Sequence, residues 1–193
     1  MARITPAMAF ADGSALDIGQ GDRINLGVAA VIARLPEVAE AIGGLKAAVG
    51  STGTLPPRLL ELVRLRIAFH NQCRSCMSVR YQSALDDGLT EDAVCALERP
   101  AEATDLSAAE RSALQFADLF ATDHLAIDES VYDDLRRHFT EDELVELGVH
   151  CALCVGLGRL AATWAVTEDL PDAFKSSNAP LAPWTSEGVI ASG

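Results

Sequence analysis

Apolar residues recur three and four positions apart along most of the 193-residue chain, and this spacing places them on one face of an α-helix. Ala, Leu, Glu and Arg, which favour helices, dominate the sequence, whereas the aromatic and β-branched runs that are typical of strands are scarce. The pattern therefore predicts an all-α fold in which roughly seven or eight helices pack as one bundle.

Prolines, glycines and polar caps indicate where these helices begin and end. Residues 25–50 are predicted to form a helix pair that is interrupted at Pro36 and ended by the glycines at positions 43, 44 and 50. Residues 54–57 begin a long helix, because proline is tolerated in the first turn. The stretch 70–73, His-Asn-Gln-Cys, breaks that helix, and a second helix is predicted from about Cys73 to Asp87. Polar caps start later helices at Thr90, Ser107 and Thr140, the last two with a glutamate at the third helical position.

The chain is predicted to contain three segments. Residues 1–54 form an N-terminal helical extension, residues 55–170 the main helical domain, and residues 171–193 a C-terminal arm. The arm is rich in Pro, Ser and Gly and has no periodicity. Trp184 and the apolar pair 189–190 would be unusual in a free tail, so we expect the arm to lie across its own bundle or a neighbouring subunit.

Charge and cysteine content narrow the classes of function. A formal charge of -13 without any block of Lys or Arg disfavours nucleic acid and anionic membranes as partners. The longest apolar stretch, 147–166, approaches bilayer length but contains His150 and Arg159, so a buried helix is expected rather than a membrane span. Pro6 and Asp12 come too early for a secretory leader. Five cysteines, an odd number, argue against a secreted disulfide framework, and we expect a cytoplasmic protein.

Cys73 and Cys76 are the first candidates for chemistry. Residues three apart in a helical turn point the same way with their Cα atoms about 5 to 6 Å apart, a Cα separation that suits a disulfide that opens and closes with little backbone movement. If Cys73 stands near a helix N-terminus, its thiolate is favoured, and Arg74 adds positive potential. Arg80 follows Cys76 by one helical turn and could hold its sulfur in the anionic form, but arginine cannot act as a base.

Glu61 is the candidate base for these thiols. A carboxylate inside an apolar stretch is costly to bury unless it is paired or catalytically employed, and burial would raise its pKa toward useful acid–base values. The alternative is a surface position and a weak ion pair with Arg64 or Arg58.

The spacing of these residues resembles the carboxymuconolactone decarboxylase superfamily, and within it the AhpD-like (alkyl hydroperoxidase D-like) branch. The signature of that branch is Glu, eleven residues, Cys-x-x-Cys, three residues and His. Glu61, Cys73 and Cys76 match it, but Arg80 stands where the family has the histidine. The resemblance extends more weakly from about Leu55 to Val166. Supporting positions in the flanks are the leading Leu-x-x-Arg at 55–58, Ala84, Gly88 and Arg159.

This resemblance implies an AhpD-like helical bundle that assembles as dimers, trimers or hexamers and reduces hydroperoxides. The sequence contains no flavin, nicotinamide or phosphate motif, so we expect no cofactor or metal and electrons from a protein or small-thiol partner. Glu61 would be the proton acceptor, and Cys73 with Cys76 the redox pair. Because Arg80 replaces the histidine, Glu61 would act through water, His70 would substitute from the preceding turn, or the activity would be weak. The alternative for His70 is an ordinary hydrogen bond at a helix end.

Either cysteine could be the thiol that attacks the peroxide, and the neighbourhood of Glu61 and Arg80 favours Cys76. We expect Cys76, beside Glu61 and Arg80, to attack the peroxide and form a sulfenic acid. Cys73 would then close the disulfide and face the external reductant.

Two other classes of function remain open. One is a decarboxylase or lactone-handling enzyme of the same superfamily, a branch that does not rely on a redox cysteine pair. The other is a non-catalytic oligomeric helical module, which a zinc ion shared by both Cys-x-x-Cys pairs would stabilise. Cys151 and Cys154 lie in a strongly apolar helix, however, and are predicted to fill the core, as is His150.

Overall fold

The computed structural model describes residues 2–7, 18–175, 181–184 and 190–193. Within them the chain forms ten α-helices and two short strands, which confirms the all-α bundle with more, shorter helices than predicted. Asp12 and Val189, on which two of the sequence arguments depend, lie outside the described residues. The helices are α1 (Gln20–Ile32), α2 (Pro36–Thr52), α3 (Pro57–Asn71), α4 (Arg74–Ser78), α5 (Gln82–Asp86), α6 (Glu91–Cys95), α7 (Ala108–Thr122), α8 (Glu129–Leu135), α9 (Glu141–Trp164) and α10 (Asp172–Lys175), and the strands are β1 (Val79–Tyr81) and β2 (Ile190–Ser192).

Helix α3 is the centre of the bundle, since it packs against both α7 and α9. Its Leu62 and Leu65 are fully buried, as are Leu114 of α7 and Leu147 of α9. Burial of such a side chain contributes about 1.5–3 kcal/mol relative to an exposed one, so this three-helix contact is a main source of stability. The site described below is built on α3 and on the segment that follows it.

The predicted helix starts are confirmed at several points. Helix α2 begins at Pro36 and α3 at Pro57, and Ser107 and Thr140 each form a capping box with the glutamate three residues later. The predicted stop of α2 is wrong, because the helix runs through its glycines to Thr52. A glycine ends a helix where the chain turns into the left-handed region, and among the described glycines Gly88 alone has positive φ.

The predicted single helix from Cys73 to Asp87 is divided into α4, β1 and α5. Val79 leaves the helix in an extended conformation, with φ −112° and ψ 148°. Strand β1 then pairs in parallel with β2, in the register Val79 to Ile190. Local periodicity could not predict this break, because the strand that pairs with β1 lies near the C-terminus, more than one hundred residues away.

The described part of the C-terminal arm lies across its own bundle, as expected for one of the two alternatives. Gln72 exchanges two hydrogen bonds with the main chain of Leu181, at 3.0 and 2.9 Å. The Trp184 ring packs against Phe69 at 4.7 Å between ring centroids. The arm therefore covers the junction between α3 and α4, where the first cysteine pair lies.

Helix α9 is one helix among the described residues whose length and hydropathy would suffice to cross a membrane. Leu144, Leu147 and Cys151 are nevertheless buried against the bundle, as in the core helix of a globular protein, which passes the same test. Val145 and Leu160 on the same helix are exposed. The prediction of a buried helix thus holds for one face of α9.

Candidate active site

Cys73 and Cys76 are joined by a disulfide across a break in the helices, with their Cα atoms 5.2 Å apart. Helix α3 ends at Asn71, and Gln72 takes the left-handed conformation with φ 51°. Cys73 is then extended and caps α4, its sulfur accepting the backbone N–H of Cys76 at 3.3 Å. The predicted position of Cys73 at a helix N-terminus is confirmed.

The two cysteines differ in their access to solvent. Cys73 is 0% exposed, and its sulfur lies 3.5 Å from the Ser75 hydroxyl. Cys76 is partly exposed and lines a cavity. The expectation that Cys73 faces the external reductant is therefore wrong, because a reductant can reach this disulfide only from the side of Cys76.

The cavity has a volume of about 910 Å³ and lies between α1, α2, α3, α4 and α9. Most of its lining is apolar, and a polar end gathers at α3 and α4. Apolar side chains that line it are Val28, Ile32, Ile42, Leu60, Leu153 and Leu157. Polar and sulfur-bearing side chains that line it are Glu61, Arg64, Cys76, Tyr81, His150 and Cys154.

Glu61 is 3% exposed, so the alternative of a surface position is wrong. It does pair with Arg64, through two short bonds of 2.6 Å that engage both carboxylate oxygens. The backbone N–H of Tyr81 donates a further hydrogen bond of 3.2 Å to Oε1. The carboxylate is therefore buried and fully engaged.

Arg64 connects this carboxylate to the redox motif. Its guanidinium donates to the carbonyl oxygens of Cys76 at 2.6 Å and Val79 at 2.9 Å. Burial alone would lower the pKa of Arg64, but the adjacent Glu61 carboxylate raises it above its ordinary value, so the cation is permanent. Arg64 is a site residue that was not predicted as one, although its position three residues after Glu61 was the available signal.

Arg80 does not lie where the helical spacing placed it. Because α4 ends at Ser78, Arg80 belongs to β1 and does not follow Cys76 on one helical face. Its side chain is buried, pairs with Glu91 at 3.0 Å, and donates to the carbonyl oxygens of Met77 and Pro183. In this position it joins β1 to α6 and to the C-terminal arm.

His70 makes an ordinary hydrogen bond at the end of α3, as the alternative interpretation held. Its Nε2 lies 2.7 Å from Oδ1 of Asp118, which Arg66 also contacts at 2.6 Å. Burial would raise the pKa of Asp118, but the bonds from His70 and Arg66 lower it below its ordinary value. His70 does not belong to the described lining of the cavity.

The second Cys-x-x-Cys pair lies within the unbroken α9. Cys151 fills the core as predicted, whereas Cys154 faces the cavity together with His150, which the prediction missed. The recurrence of positions 150, 154, 157 and 161 on one helical face was the available signal. No group of three or more His, Cys, Asp or Glu side chains within the described ranges could hold a metal ion.

Burial controls the ionisation of these α9 groups. It raises the pKa of Cys154 to about 12 and raises that of Cys151 as well, so both remain thiols. Burial also lowers the pKa of His150, which is therefore neutral near pH 7. Its Nε2 lies 3.0 Å from the Leu60 carbonyl oxygen and 3.5 Å from the Cys154 sulfur.

Fold and site together define a helical protein with a Cys-x-x-Cys disulfide at the polar end of an apolar cavity. Residues 36–119 match the sequence model of the Carboxymuconolactone decarboxylase family. This match covers 84 of the 193 residues and agrees with the resemblance to the carboxymuconolactone decarboxylase superfamily that the spacing of Glu61, Cys73 and Cys76 predicted.

Two curated proteins of Mycobacterium tuberculosis are similar to this chain. They are the uncharacterized proteins MT2376 of strain CDC 1551 / Oshkosh and Rv2313c of strain ATCC 25618 / H37Rv. Each is 39% identical over 111 residues, which cover 56% of this chain and 38% of the relative. The aligned region thus spans well under half the length of these relatives.

A solved structure has the same fold. It is a cysteine-to-alanine variant of the debrominase Bmp8 in complex with 2,3,4-tribromopyrrole. The two structures superpose with a TM-score of 0.64 over 96% of this chain and 95% of the other, at 20% sequence identity. This likeness extends the shared architecture beyond the segment 36–119.

Proposed function

We propose that this protein is an AhpD-like thiol–disulfide oxidoreductase that reduces hydroperoxides through Cys73 and Cys76. The observation that carries the proposal is that Cys76, and not its disulfide partner, opens on the apolar cavity. The Arg64 cation, hydrogen-bonded to the main chain of Cys76, favours the thiolate form of the neighbouring sulfur. The reactive sulfur, an activating cation and a binding space thus come together at one end of the cavity.

The chemistry takes place in two steps. The Cys76 sulfur attacks the outer peroxide oxygen, so an S–O bond forms and the O–O bond breaks. The sulfur loses two electrons and becomes a sulfenic acid, while the substrate leaves as an alcohol that carries the former thiol proton. The Cys73 thiol then displaces water from the sulfenic acid, and the disulfide seen in the structure forms.

The cavity favours an organic hydroperoxide over hydrogen peroxide as the substrate. Hydrogen peroxide is too small and too polar to make many favourable contacts with the mostly apolar walls of a cavity of about 910 Å³. Buried Cys73 leaves Cys76 as the sulfur that an external thiol attacks, so the reductant is a small thiol or a protein thiol on a narrow segment.

The assembly and location remain part of the proposal. Leu35, Val38 and Leu45 are exposed on or next to α2, as are Val145 and Leu160 on α9, and such apolar residues favour a homo-oligomer. A solution mass equal to one chain would contradict this. Three free cysteines fit a reducing, cytoplasmic location, which cell fractionation tests.

The test is consumption of cumene hydroperoxide by the purified protein with dithiothreitol as reductant. We expect turnover by wild type and loss of at least about a hundredfold in Cys76→Ser, since no other described thiol combines cavity access with a disulfide partner. Cys95→Ser is the matched control, because Cys95 is an exposed free cysteine on α6, and its activity should equal that of wild type.

Two outcomes would contradict the proposal. One is consumption of the hydroperoxide by wild type at the uncatalysed rate. The other is undiminished turnover by Cys76→Ser. Either result would leave the lactone-handling enzyme or the non-catalytic helical module as the function to pursue.

A further inference from the structure

We propose that His150 of α9 is the proton carrier of this site, taking the Cys76 thiol proton on its Nδ1 and returning it to the leaving alcohol oxygen. The proposal deepens the function above and rests on it. It assigns the role to a residue outside the motif that contains the cysteines, on a helix that faces the motif across the cavity. Four steps lead to it.

The first step is that Glu61 is already occupied. Both of its oxygens are held by Arg64 at 2.6 Å, and one also accepts the N–H of Tyr81. A proton on this carboxylate would neutralise it and leave the permanent Arg64 cation without its buried counter-charge. Glu61 therefore acts as a positioning residue that holds Arg64 against the Cys76 carbonyl.

The second step concerns the tautomer of His150. Its Nε2 lies 3.0 Å from the Leu60 carbonyl oxygen, which has no hydrogen to donate. Nε2 must therefore carry the hydrogen, and in the neutral ring Nδ1 is left with a lone pair. Burial lowers the pKa of His150 and keeps the ring in this neutral form.

The third step is that the Nδ1 lone pair of His150 faces the cavity. Every fully buried side-chain nitrogen and oxygen of the described residues has a hydrogen-bond partner. None of the bonds of the described residues engages Nδ1 of His150, so this atom must reach open space, and the open space that His150 lines is the cavity. A substrate or a water in the cavity can therefore meet Nδ1.

The fourth step is the surroundings of the ring. Leu60, which fixes Nε2, precedes Glu61 on α3, so the ring lies at the polar end of the cavity where Cys76 also opens. Charged and titratable groups that face this end are Glu61 and Arg64 from α3, Lys46 from α2, Glu146 and Cys154 from α9, Cys76 from α4 and Tyr81 from β1. Glu61 is held by Arg64, and Glu146 accepts the backbone N–H groups of Thr54 and Leu55. Arg64 cannot act as a base. Cys154 remains a thiol, so His150 is the group suited to take up and release a proton near neutral pH.

The test is His150→Gln. A glutamine amide can donate to the Leu60 carbonyl as Nε2 does, but it cannot accept a proton. We expect kcat/KM for cumene hydroperoxide to fall by about a hundredfold, as is usual when a general acid–base is removed. Wild-type activity should also decline as acid protonates His150, below the ordinary pKa of histidine, and this limb of the pH profile should be absent in H150Q. His124→Gln, an exposed histidine outside the cavity, is the matched control and should behave as wild type.

A second readout needs no peroxide. Reduced protein is alkylated with iodoacetamide at several pH values, and mass spectrometry follows the Cys76 peptide. In wild type, the rate of Cys76 alkylation should depend on pH through the ionisation of His150 as well as that of the thiol. In H150Q, the same rate should be reached only at more alkaline pH. If wild type fails to consume hydroperoxide while this difference persists, the peroxidase function is wrong and the role of His150 holds.

The proposal is overturned if Cys76 in H150Q is alkylated with the same pH dependence as in wild type and H150Q consumes hydroperoxide at the wild-type rate. If H150Q does not fold, the wild-type alkylation profile decides alone. A pH dependence of the alkylation rate that shows the ionisation of one thiol alone would overturn the proposal. A second ionisation in the range in which histidine titrates would support it.

Discussion

The chain contains two Cys-x-x-Cys pairs with the same spacing, and only the first forms a disulfide. In the first pair Cys73 stands outside α4, extended, because Gln72 breaks the chain before it. In the second pair both residues lie inside α9, where side chains three apart have Cβ atoms about 5–6 Å apart. A disulfide needs about 3.5–4.5 Å. The helix break, and not the spacing of the cysteines, therefore allows the first pair to form a disulfide.

The surroundings of the two pairs differ as well. Cys76 opens on the cavity and its main chain is bonded to the Arg64 cation. Cys154 faces the same cavity from α9, and Arg64 would lower its pKa, but the burial of the thiol outweighs this effect. The Arg64 cation thus lies near two cysteines in one cavity. Cys154 remains an unreactive thiol because its burial raises its pKa by more than Arg64 lowers it.

The largest expected effect is the difference in alkylation rate between these two thiols. With the pKa of Cys154 raised to about 12, its thiolate fraction at pH 8 is on the order of 10⁻⁴, against roughly 0.2 for an ordinary thiol with a pKa of about 8.5. We expect reduced Cys76 to react with iodoacetamide about a thousandfold faster than Cys154, measured by peptide mass spectrometry. Exposed Cys95 serves as the internal reference.

The pH dependence sharpens this prediction. Because a raised thiol pKa leaves the group protonated, alkylation of Cys154 should still increase above about pH 10, where an ordinary thiol with a pKa of about 8.5 is almost fully ionised. Equal rates for Cys76 and Cys154 at pH 8 would mean that the two environments do not differ in the way described.

Much of the fold could be predicted from local sequence because its signals are local. A capping box needs a serine or threonine and a glutamate three residues apart, and both predicted boxes, at Ser107 and Thr140, formed. The spacing of Glu61 to Cys73 likewise lies within one helix and its end. The burial of Glu61 was one of two open alternatives, because periodicity alone does not say which neighbour covers a polar residue.

What the sequence could not predict depends on distant partners. Val79 leaves its helix because Ile190 offers a strand more than one hundred residues away, and this displaced Arg80 from the cysteine motif. The cavity, and the position of His150 within it, arise where α9 meets α1, α2 and α3. Recurrence places residues 150, 154, 157 and 161 on one face of α9, but whether that face borders a cavity or a packed core depends on the helices opposite it.

The second prediction removes the cation that distinguishes the first pair. Arg64→Ala would leave buried Glu61 without its charged partner and would free the Cys76 and Val79 carbonyls. We expect a loss of about 3–5 kcal/mol in the free energy of unfolding, as for other broken buried ion pairs. Urea denaturation followed by circular dichroism measures it.

Arg99→Ala is the matched control for Arg64→Ala. Arg99 pairs with Glu102 at 3.5 Å on an exposed surface, so its loss should cost less than about 1 kcal/mol. If both variants lose the same free energy, the Glu61–Arg64 pair does not hold the redox motif in place.

The smallest effect concerns the arm, which covers the first pair but not the second. Gln72→Ala removes two hydrogen bonds to Leu181 and one to the Phe69 carbonyl, while the left-handed backbone at this position remains. We expect a loss of about 1–2 kcal/mol in the free energy of unfolding. The Cys73–Cys76 disulfide should also be reduced faster by dithiothreitol, because Cys73 loses its cover. Gln82→Ala, in an exposed helical position, should change neither measurement beyond about 0.5 kcal/mol.

Gln72→Gly separates the cover from the backbone strain at this position. Glycine adopts φ 51° without the cost that other residues incur, so it should recover up to about 1 kcal/mol relative to Gln72→Ala. It lacks the same hydrogen bonds, however, and its disulfide should be reduced as fast as that of Gln72→Ala. If reduction slows together with the recovered stability, local backbone strain, and not the arm, controls access to the first cysteine pair.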